Sequence, residues 1–466
     1  MNFLPKSLAV GFVLASFASA SVLAATHPVT GETLAEDQTF TYSLLDEFTS
    51  ADPQIVEDVS GSAFARDLFE GLMNQDADGN LTPGVATGFT TNDAKDVYTF
   101  TLRDNAMWSD GNPVTAHDFV YAWRRLADPA TASPYSWFAE IMALENVGAV
   151  LSGDSPTSAL GVTALDNHTL EVRLTASLPY FAAMTTHAST FPSPQWRVRT
   201  FGDEWTKPGN IVGNGAYVLT EHIPNETATR ERNTMYWNND ATIIDKVVTL
   251  IINDENTDFT RWEAGETDKG ALPSGQYPRL KVKYPDEAIS FPRLCTYYMT
   301  FNVSPSGPEA FKDVRVRQAL SYALDRSVVT DKVLQGGQIQ AFTFTPGATA
   351  GFEVPAVAFG QMSQDQRNVN AKLLMAAAGY GPDNPLKFEY MYNTSEGHKK
   401  IAIAAQQMWK ETLGAEATLA NQEWKTFLKT RGGQNFDVAR GGWCGDYNEA
   451  STFLDLLTTP SGYNDG

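Results

Sequence analysis

A short segment near the end of the sequence carries the densest group of side chains that could bind a charged ligand. In it a guanidinium, an indole ring, one of only two cysteines and a carboxylate occur at Arg440, Trp443, Cys444 and Asp446. Successive residues of a strand point to opposite faces, so Arg440, Gly442 and Cys444 should share one face and the tryptophan should lie on the other.

Two adjacent glycines, Gly441 and Gly442, lie inside this segment. A glycine leaves room for another backbone to approach closely. With a guanidinium and a carboxylate beside it, such a strand suits a site that accepts an extended peptide as an added strand and neutralises its terminal charges. The alternative is a core strand that ends in a solvated turn, and these residues alone leave both interpretations open.

The first 24 residues have the pattern of a signal peptide. Lys6 supplies a positive charge, residues 8–18 form an apolar run, and residues 22–24 fit the small-x-small cleavage rule. The apolar run is shorter than the ~20 residues that span a bilayer, and no cysteine lies nearby to carry a lipid. We therefore expect an exported, soluble mature protein.

The two cysteines, Cys295 and Cys444, are expected to form one disulfide, because exported chains usually oxidise paired cysteines. The bridge would close a long loop, for which chain entropy gives an upper figure of about 5 kcal/mol. The alternative is a pair of buried free thiols. Neither cysteine has a second cysteine or a histidine at ligand spacing, so we expect no zinc site, no other metal and no cofactor.

Composition limits the function classes. Hydrophobic residues make up 42% of the 466 residues and charged residues 19%, which describes a globular chain of two or three domains. A net charge of -21 argues against nucleic acid as a partner and against anionic lipid. The six histidines form no His-Glu-x-x-His pair, and no nucleophile elbow or phosphate-binding glycine loop occurs. These absences weaken an enzymatic interpretation without removing it.

Hydrophobic periodicity predicts the elements that must position the segment. In the first half it predicts strands at residues 38–44, 97–102 and 169–174, a helix at residues 63–72, and a helix capped by Thr115. In the second half it predicts helices at residues 314–324, 370–378, 400–413 and 424–431, and strands at residues 388–392, 418–422 and 436–443. This alternation predicts α/β layering with a largely parallel sheet. Two unlike lobes with the segment at their junction would form a cleft that closes on a ligand.

Several motifs resemble the extracellular solute-binding proteins of family 5, which serve oligopeptide transporters. The most specific match is residues 98–123, and shorter matches are residues 67–72, 213–217, 294–298, 313–317 and 421–428. The likeness runs from about residue 35 to the last residue.

The resemblance implies an α/β, two-lobed periplasmic binding protein of type II, from the large cluster with an extra domain and with its ligand cleft between the lobes. The implied divisions are a signal peptide at residues 1–24, a first lobe at residues 25–70 and 193–294, an extra domain at residues 71–192, and a second lobe at residues 295–466. Relatives continue for several dozen residues beyond this point, so the sequence is expected to be truncated and its second lobe incomplete.

The resemblance also implies a function. A protein of this kind captures short peptides in extended form and delivers them to the permease of an inner-membrane ABC transporter. We expect a periplasmic monomer that binds no nucleic acid and is not an enzyme. The alternatives are a receptor for a cell-wall peptide, a metal chelate or another solute, and a secreted hydrolase.

Site residues follow residue by residue from the matched motifs. Asp446 would hold the ammonium group of the peptide, and basic residues would meet its carboxylate: Arg431, Arg440 and His398. The peptide backbone would pair with two segments: Gly442, Trp443 and Cys444, and Glu57, Asp58 and Val59. Tyr135 and Trp424 would line the cleft.

Each assignment has an alternative. Asp446 could cap a loop, His398 could be a surface residue in the turn before a helix, and the two arginines could merely balance nearby acids. The aromatic residues could belong to the core. Two positions depart from the family pattern: Thr300 replaces a glutamate and Leu334 replaces a lysine, which could shift the preferred peptide length or side chains.

Overall fold

The computed structural model describes residues 26–27, 30–459 and 461–466, so the predicted signal peptide at residues 1–24 lies outside the described residues. The chain divides after Gln38 into two compact units. The described part of the first unit contains an antiparallel bridge between Thr26 and Thr33. The second unit, residues 39–466, carries the helices and sheets described below.

Its strands and helices follow in chain order. The strands are β1 (Thr39–Leu44), β2 (Met73–Gln75), β3 (Leu81–Pro83), β4 (Ala86–Thr91), β5 (Val97–Leu102), β6 (Val162–Asp166), β7 (Thr169–Arg173), β8 (Tyr217–Ile223), β9 (Thr227–Arg232), β10 (Lys246–Ile251), β11 (Cys295–Phe301), β12 (Lys387–Asn393), β13 (Glu416–Gln422) and β14 (Val438–Cys444). The α-helices are α1 (Val59–Leu68), α2 (Ala116–Ala127), α3 (Ser136–Ile141), α4 (Val147–Leu151), α5 (Phe181–Met184), α6 (Gln195–Phe201), α7 (Glu255–Glu263), α8 (Tyr277–Lys283), α9 (Glu309–Lys312), α10 (Val314–Ala323), α11 (Arg326–Val328), α12 (Gln364–Ala377), α13 (Glu396–Leu413), α14 (Trp424–Gly432) and α15 (Ser451–Leu454).

Most of these strands belong to four-stranded sheets. One has the order β1-β10-β9-β8, and a second, β4-β5-β7-β6, is antiparallel throughout. The third has the order β11-β14-β12-β13, in which β12 runs parallel to both of its neighbours and β11 runs antiparallel to β14. The predicted α/β alternation of the second half is therefore confirmed, with β11 as the antiparallel exception. The domain boundaries given above stay a prediction.

Helix starts differ most from the predicted bounds. Helix α1 spans Val59–Leu68 rather than residues 63–72, and it begins at Val59 because the Asp58 carboxylate accepts the Gly61 N–H at 2.8 Å and caps it. Helix α13 begins at Glu396 rather than at residue 400, with Ser395 as its cap. The prediction that His398 lies in the turn before this helix is therefore wrong, since His398 lies in its first turn.

Two glycines fix the end of α1 against the following segment. A Cβ atom added at Gly213 would lie 2.1 Å from the carbonyl oxygen of Leu68, so no larger residue fits there. The Gly215 N–H donates to that same carbonyl at 2.9 Å. Between them, the Asn214 amide bonds the backbone N–H and C=O of Glu70. These contacts fix the C-terminal end of α1, the helix that contains Arg66.

The large hydrophobic core joins the two halves of the sequence. Trp108, Trp123 and Trp205 from the first half share it with Trp443 and Tyr447. The end of β14 therefore packs against residues of the first half, while a separate core beneath the third sheet contains residues such as Tyr390 and Trp409. In the part of the chain that the structure describes, no helix combines the length and apolar character needed to cross a membrane.

Candidate ligand-binding site

The edge of β14 is the feature on which the candidate site is built. All of this strand, Val438–Cys444, pairs with β11, whereas β12 pairs with β14 only at Val438 and Ala439. Within the described residues, positions 440–444 therefore have no strand on their second side. An unpaired row of backbone N–H and C=O groups can accept an extended peptide as an added strand.

The side chains of this strand alternate as the sequence predicts. Arg440 and Gly442 are half-buried, whereas Gly441 and Trp443 are buried. A Cβ atom at Gly441 would lie 2.3 Å from the ring of Tyr298, so that glycine makes room for a tyrosine of β11 and not for a ligand backbone. The expectation that both glycines admit another backbone is thus wrong for Gly441. At Gly442 the nearest atom is the flexible end of Arg440, at 3.1 Å.

A disulfide fixes the end of the open edge. Cys295 and Cys444 are opposite each other in the β11–β14 register and are bonded, which confirms the predicted bridge. Because both sulfurs are oxidised, neither can serve as a thiolate ligand for zinc. Among the residues that the structure describes, no three histidine, cysteine or acidic side chains are grouped to hold a metal ion.

Asp446 lies just beyond the open edge and is 8% exposed. Its Oδ1 atom is 3.4 Å from the Tyr135 hydroxyl, which donates to it, and 3.5 Å from His187 Nε2. Its buried Oδ2 atom has no hydrogen-bond partner among the described residues. The carboxylate accepts no backbone N–H there either, so the arrangement is not that of a loop cap.

Burial dominates the electrostatics of Asp446. It raises the pKa of the carboxyl to about 8, although the Tyr135 hydrogen bond and the charge of Arg66 act in the opposite direction. Burial likewise raises the pKa of Tyr135 well above its usual range, so the hydroxyl keeps its proton and donates. A buried carboxyl with one oxygen that no described residue bonds is suited to a cation that has lost its water, because close pairing must replace that solvation.

Aromatic rings surround this carboxyl. Tyr135 is buried, stacks on His187 with ring centroids 4.8 Å apart, and lies parallel to Trp443 at 6.5 Å. Tyr463 packs edge-on against Trp443 at 5.2 Å. Tyr135 thus contacts the carboxyl group of Asp446 and is also part of the hydrophobic core. Trp424 is half-buried and stacks on Phe427 at 6.0 Å, at the start of α14.

Arg440 and His398 lie together above Tyr297 of β11. The guanidinium of Arg440 is 5.3 Å from the centroid of the Tyr297 ring, and the Tyr297 hydroxyl is 3.4 Å from His398 Nδ1. The buried Nε of Arg440 has no hydrogen-bond partner in the described part of the chain. Burial and the charge of Arg440 lower the pKa of His398 to about 3, so this histidine is neutral at ordinary pH. The charge of Arg440 acts on the nearby carboxyl of Asp46, but the guanidinium forms no ion pair among the described residues and can receive a carboxylate.

Arg431, unlike Arg440, forms a buried ion pair within the chain. Its Nε atom lies 2.7 Å from Asp465 Oδ2, and both side chains are buried. Its charge is therefore already balanced within the chain, as the alternative interpretation of the arginines anticipated.

The segment at Glu57 is not a strand. The backbone carbonyl of Glu57 accepts the Tyr463 hydroxyl at 3.1 Å, Asp58 caps α1, and Val59 is the first residue of that helix. Of the two departures from the family pattern, Thr300 lies on β11 opposite Ala439. The other, Leu334, ends a π-helical turn, Val329–Leu334.

Three residues near Asp446 were not found from the sequence: Arg66, His187 and Tyr463. His187 lies in a polar run at residues 185–190 that is wholly buried, whereas hydropathy assigns such a run to the surface. No short motif marks Arg66 or Tyr463. A buried polar run beside aromatic residues is the one signal that could have drawn notice to this region.

The chain has the fold of the two-lobed binding proteins of type II, because solved structures of that class match it over 93% of its length, and the open strand edge and the buried carboxyl lie within this fold. The chain belongs to the bacterial extracellular solute-binding proteins of family 5: residues 80–465 match the family described as "Bacterial extracellular solute-binding proteins, family 5 Middle".

Relatives narrow the comparison. The periplasmic murein peptide-binding protein MppA of Escherichia coli K12 is 48% identical over 430 residues, which cover 92% of this chain and 79% of MppA. The structure of Haemophilus influenzae OppA in complex with the peptide RPPGFSPFR is 42% identical, with a TM-score of 0.88 over 93% of this chain and 85% of that one.

A third comparison bears on conformation. The unliganded open form of MppA, the periplasmic murein tripeptide-binding protein, is 47% identical and has a TM-score of 0.64, over 93% of this chain and 83% of that one. The described conformation is thus closer to a peptide complex than to an open, empty protein.

Proposed function

We propose that this protein captures short peptides in extended form and delivers them to the permease of an ABC transporter. The observation that carries the proposal is the open edge at residues 440–444. Pairing through backbone groups recognises a peptide regardless of its side chains, so one strand edge can serve many sequences. The two peptide-binding relatives of the same family support this assignment.

Charged groups near the edge suit the two ends of a peptide. Asp446 takes the ammonium group through its Oδ2 atom, which has no hydrogen-bond partner among the described residues, and residues 442–444 pair with the peptide backbone. Arg440 takes the carboxylate, with His398 beside it as a neutral partner. Arg431 can meet a carboxylate only by giving up its ion pair with Asp465, so we place it second.

The remaining predicted residues surround the peptide. We propose that Tyr135, Trp443 and Trp424 form the walls of the cleft. We also propose that the segment at Glu57, Asp58 and Val59 contacts the peptide on the side where Glu57 bonds Tyr463.

The setting follows from the family and the N-terminal sequence. We propose export to the periplasm with removal of residues 1–24, action as a monomer, and no turnover of the bound peptide. The two lobes and the extra domain take the residue boundaries given above.

A cell-wall peptide is the second candidate ligand, because a relative at 48% identity carries the name of a murein peptide-binding protein. Such a peptide would use the same edge of β14. Its additional carboxylates would need cationic side chains as partners, and Arg440 can pair with one of them without breaking an ion pair.

Ligand identification tests the proposal. The protein is purified from its own host, released small molecules are identified by mass spectrometry, and tri-alanine, tetra-alanine and murein tripeptide are then titrated by calorimetry. Binding of both alanine peptides supports a general receptor, and binding of the murein tripeptide alone supports the second candidate. Cleavage of any bound peptide, or no binding of the three, would contradict the proposed function.

A further inference from the structure

His187 is a buried histidine next to Asp446, and the peptide-binding roles proposed for the other residues do not include it. It caps a 3-10 turn, Ala188–Thr190, and is 3% exposed. Tyr135 stacks on its ring, and Phe138 contacts the ring at a centroid distance of 4.9 Å. The ring is thereby held in one orientation, with its Nε2 atom 3.5 Å from Asp446 Oδ1.

The hydrogen bonds of the ring determine where its proton lies. The backbone N–H of Ser189 points at His187 Nδ1 at 3.3 Å, and the Ser189 hydroxyl is 2.9 Å from the same atom. A backbone N–H can only donate, so Nδ1 must be the acceptor and carry no proton. In a neutral imidazole the proton then resides on Nε2, the atom that faces Asp446.

The ring is neutral at ordinary pH. Burial, together with the positive charge of Arg66, lowers the pKa of His187 to about 3. His187 and Asp446 therefore do not form an ion pair, and the ring offers the carboxyl a neutral N–H. The hydroxyl of Tyr135 reaches the same oxygen, Oδ1, at 3.4 Å.

We infer that His187 is a positioning residue of the ammonium site: its Nε2–H and the Tyr135 hydroxyl hold Oδ1 of Asp446, which leaves Oδ2 directed at the ligand. The inference rests on the proposed function. Both donors face one oxygen, the Tyr135 hydroxyl through a hydrogen bond of 3.4 Å and Nε2 of His187 through a contact of 3.5 Å, while the other oxygen is buried and has no partner among the described residues. Neither donor carries a charge, so neither competes with the ammonium group for the carboxylate.

A matched pair of variants separates this role from packing. His187→Gln keeps a neutral N–H donor, whereas His187→Met has a side chain of similar length without one. The probes are tri-alanine and its des-amino analogue propionyl-Ala-Ala, which has the same shape but lacks the amine. The measured quantity is the ratio of their dissociation constants, which loss of packing alone would not change.

We expect the preference for the free amine to fall about tenfold in His187→Met and to stay near the parent value in His187→Gln, with binding of propionyl-Ala-Ala unchanged in both. Equal losses for both probes in His187→Met, an unchanged ratio, or a glutamine variant that behaves like the methionine variant would overturn the inference. If the parent binds neither probe, the proposed function itself fails, and the two failures are thus distinct.

Should the methionine variant not fold, the parent protein decides the question by heteronuclear NMR with labelled histidine. His398 is also neutral from pH 5 to pH 8, so its signal is identified by its absence in His398→Gln. A second histidine is expected to stay in the neutral Nε2–H form over the same range, and its Nε2–H resonance should move when tri-alanine binds. A proton on Nδ1, or a ring that titrates in this range with no histidine besides His398 in the expected form, would overturn the inference.

Discussion

Cys295 and Cys444 lie opposite each other on antiparallel strands and are joined by a disulfide, and Asp446 follows immediately after the intervening Gly445. The bridge therefore fixes the strand end from which the buried carboxyl projects. Gly445 continues this attachment, because its N–H donates to the carbonyl of Leu294 at 2.8 Å. The position of the carboxyl relative to the open edge depends on this covalent anchor.

The first prediction concerns that disulfide. The denatured, unreduced protein should contain almost no titratable thiol. Replacing both cysteines with serine should lower the free energy of unfolding by up to about 5 kcal/mol, because the unfolded chain regains the freedom that the loop closure removed. Chemical denaturation of the oxidised parent, the reduced parent and the double variant measures the change. Two free thiols in the parent, or equal stability of its oxidised and reduced forms, would contradict the prediction.

Local patterns gave good bounds for the strands that they predicted but did not predict others, such as β11, and they gave the helix bounds less well. β5 has the predicted bounds, and the side chains of β14 alternate between buried and half-buried as expected. A strand can be recognised from a few residues, because successive side chains point to opposite faces. The first turns of α1 and α13 are Val-Ser-Gly and Glu-Gly-His, which contain no apolar period. Their starts are set by the capping residues Asp58 and Ser395, which a periodicity argument does not detect.

The candidate site can be described only in part from the sequence. The residue types single out the segment from Trp443 to Asp446, but the open edge depends on how far β12 extends along β14, which is a tertiary property. The ion pair of Arg431 with Asp465 joins distant parts of the sequence and could not be foreseen from spacing.

The second prediction is that Asp446 holds the ammonium group of the ligand. Asp446→Asn keeps the shape of the side chain and removes its charge, which leaves a dehydrated ammonium unpaired. Loss of one partner of such a buried pair costs about 3–5 kcal/mol, or roughly two to three and a half decades in affinity. Calorimetry with tri-alanine measures the loss. N-acetylated peptides should bind poorly to both forms, and an unchanged affinity for tri-alanine would show that the amine is held elsewhere.

The third prediction is that binding releases a proton. In the described conformation burial raises the pKa of Asp446 to about 8, so without an ammonium group beside it the carboxyl there holds its proton at pH 7. An ammonium group beside it favours the ionised form and lowers that pKa, so the proton leaves when the peptide binds. Affinity should therefore rise with pH up to about 8, by at most about tenfold per pH unit, and decline once the peptide amine loses its own proton.

Calorimetry at pH 7 in buffers of different ionisation enthalpy counts the released proton. The parent should release close to one proton per tri-alanine, and Asp446→Asn should release none, since its amide does not titrate. No release by the parent would mean that the carboxyl is already ionised in the empty protein.

The fourth prediction contrasts the two arginines. Arg440 forms no ion pair among the described residues, so Arg440→Gln should leave the free energy of unfolding nearly unchanged. It should weaken binding of tri-alanine by about 1.5–3 kcal/mol, the value of a charge-assisted hydrogen bond. Tri-alanine amide, which lacks the carboxylate, should lose much less affinity.

Arg431→Gln should behave in the opposite way, because it leaves the buried carboxylate of Asp465 without its partner. Breaking a buried pair from one side costs about 3–5 kcal/mol of folding free energy, which urea denaturation measures. Arg431→Gln combined with Asp465→Asn removes both charges and should recover most of that stability, so the double-mutant cycle isolates the pair. If Arg431→Gln instead keeps its stability and loses affinity for tri-alanine more than for the amide, then Arg431, and not Arg440 alone, receives the carboxylate of the ligand.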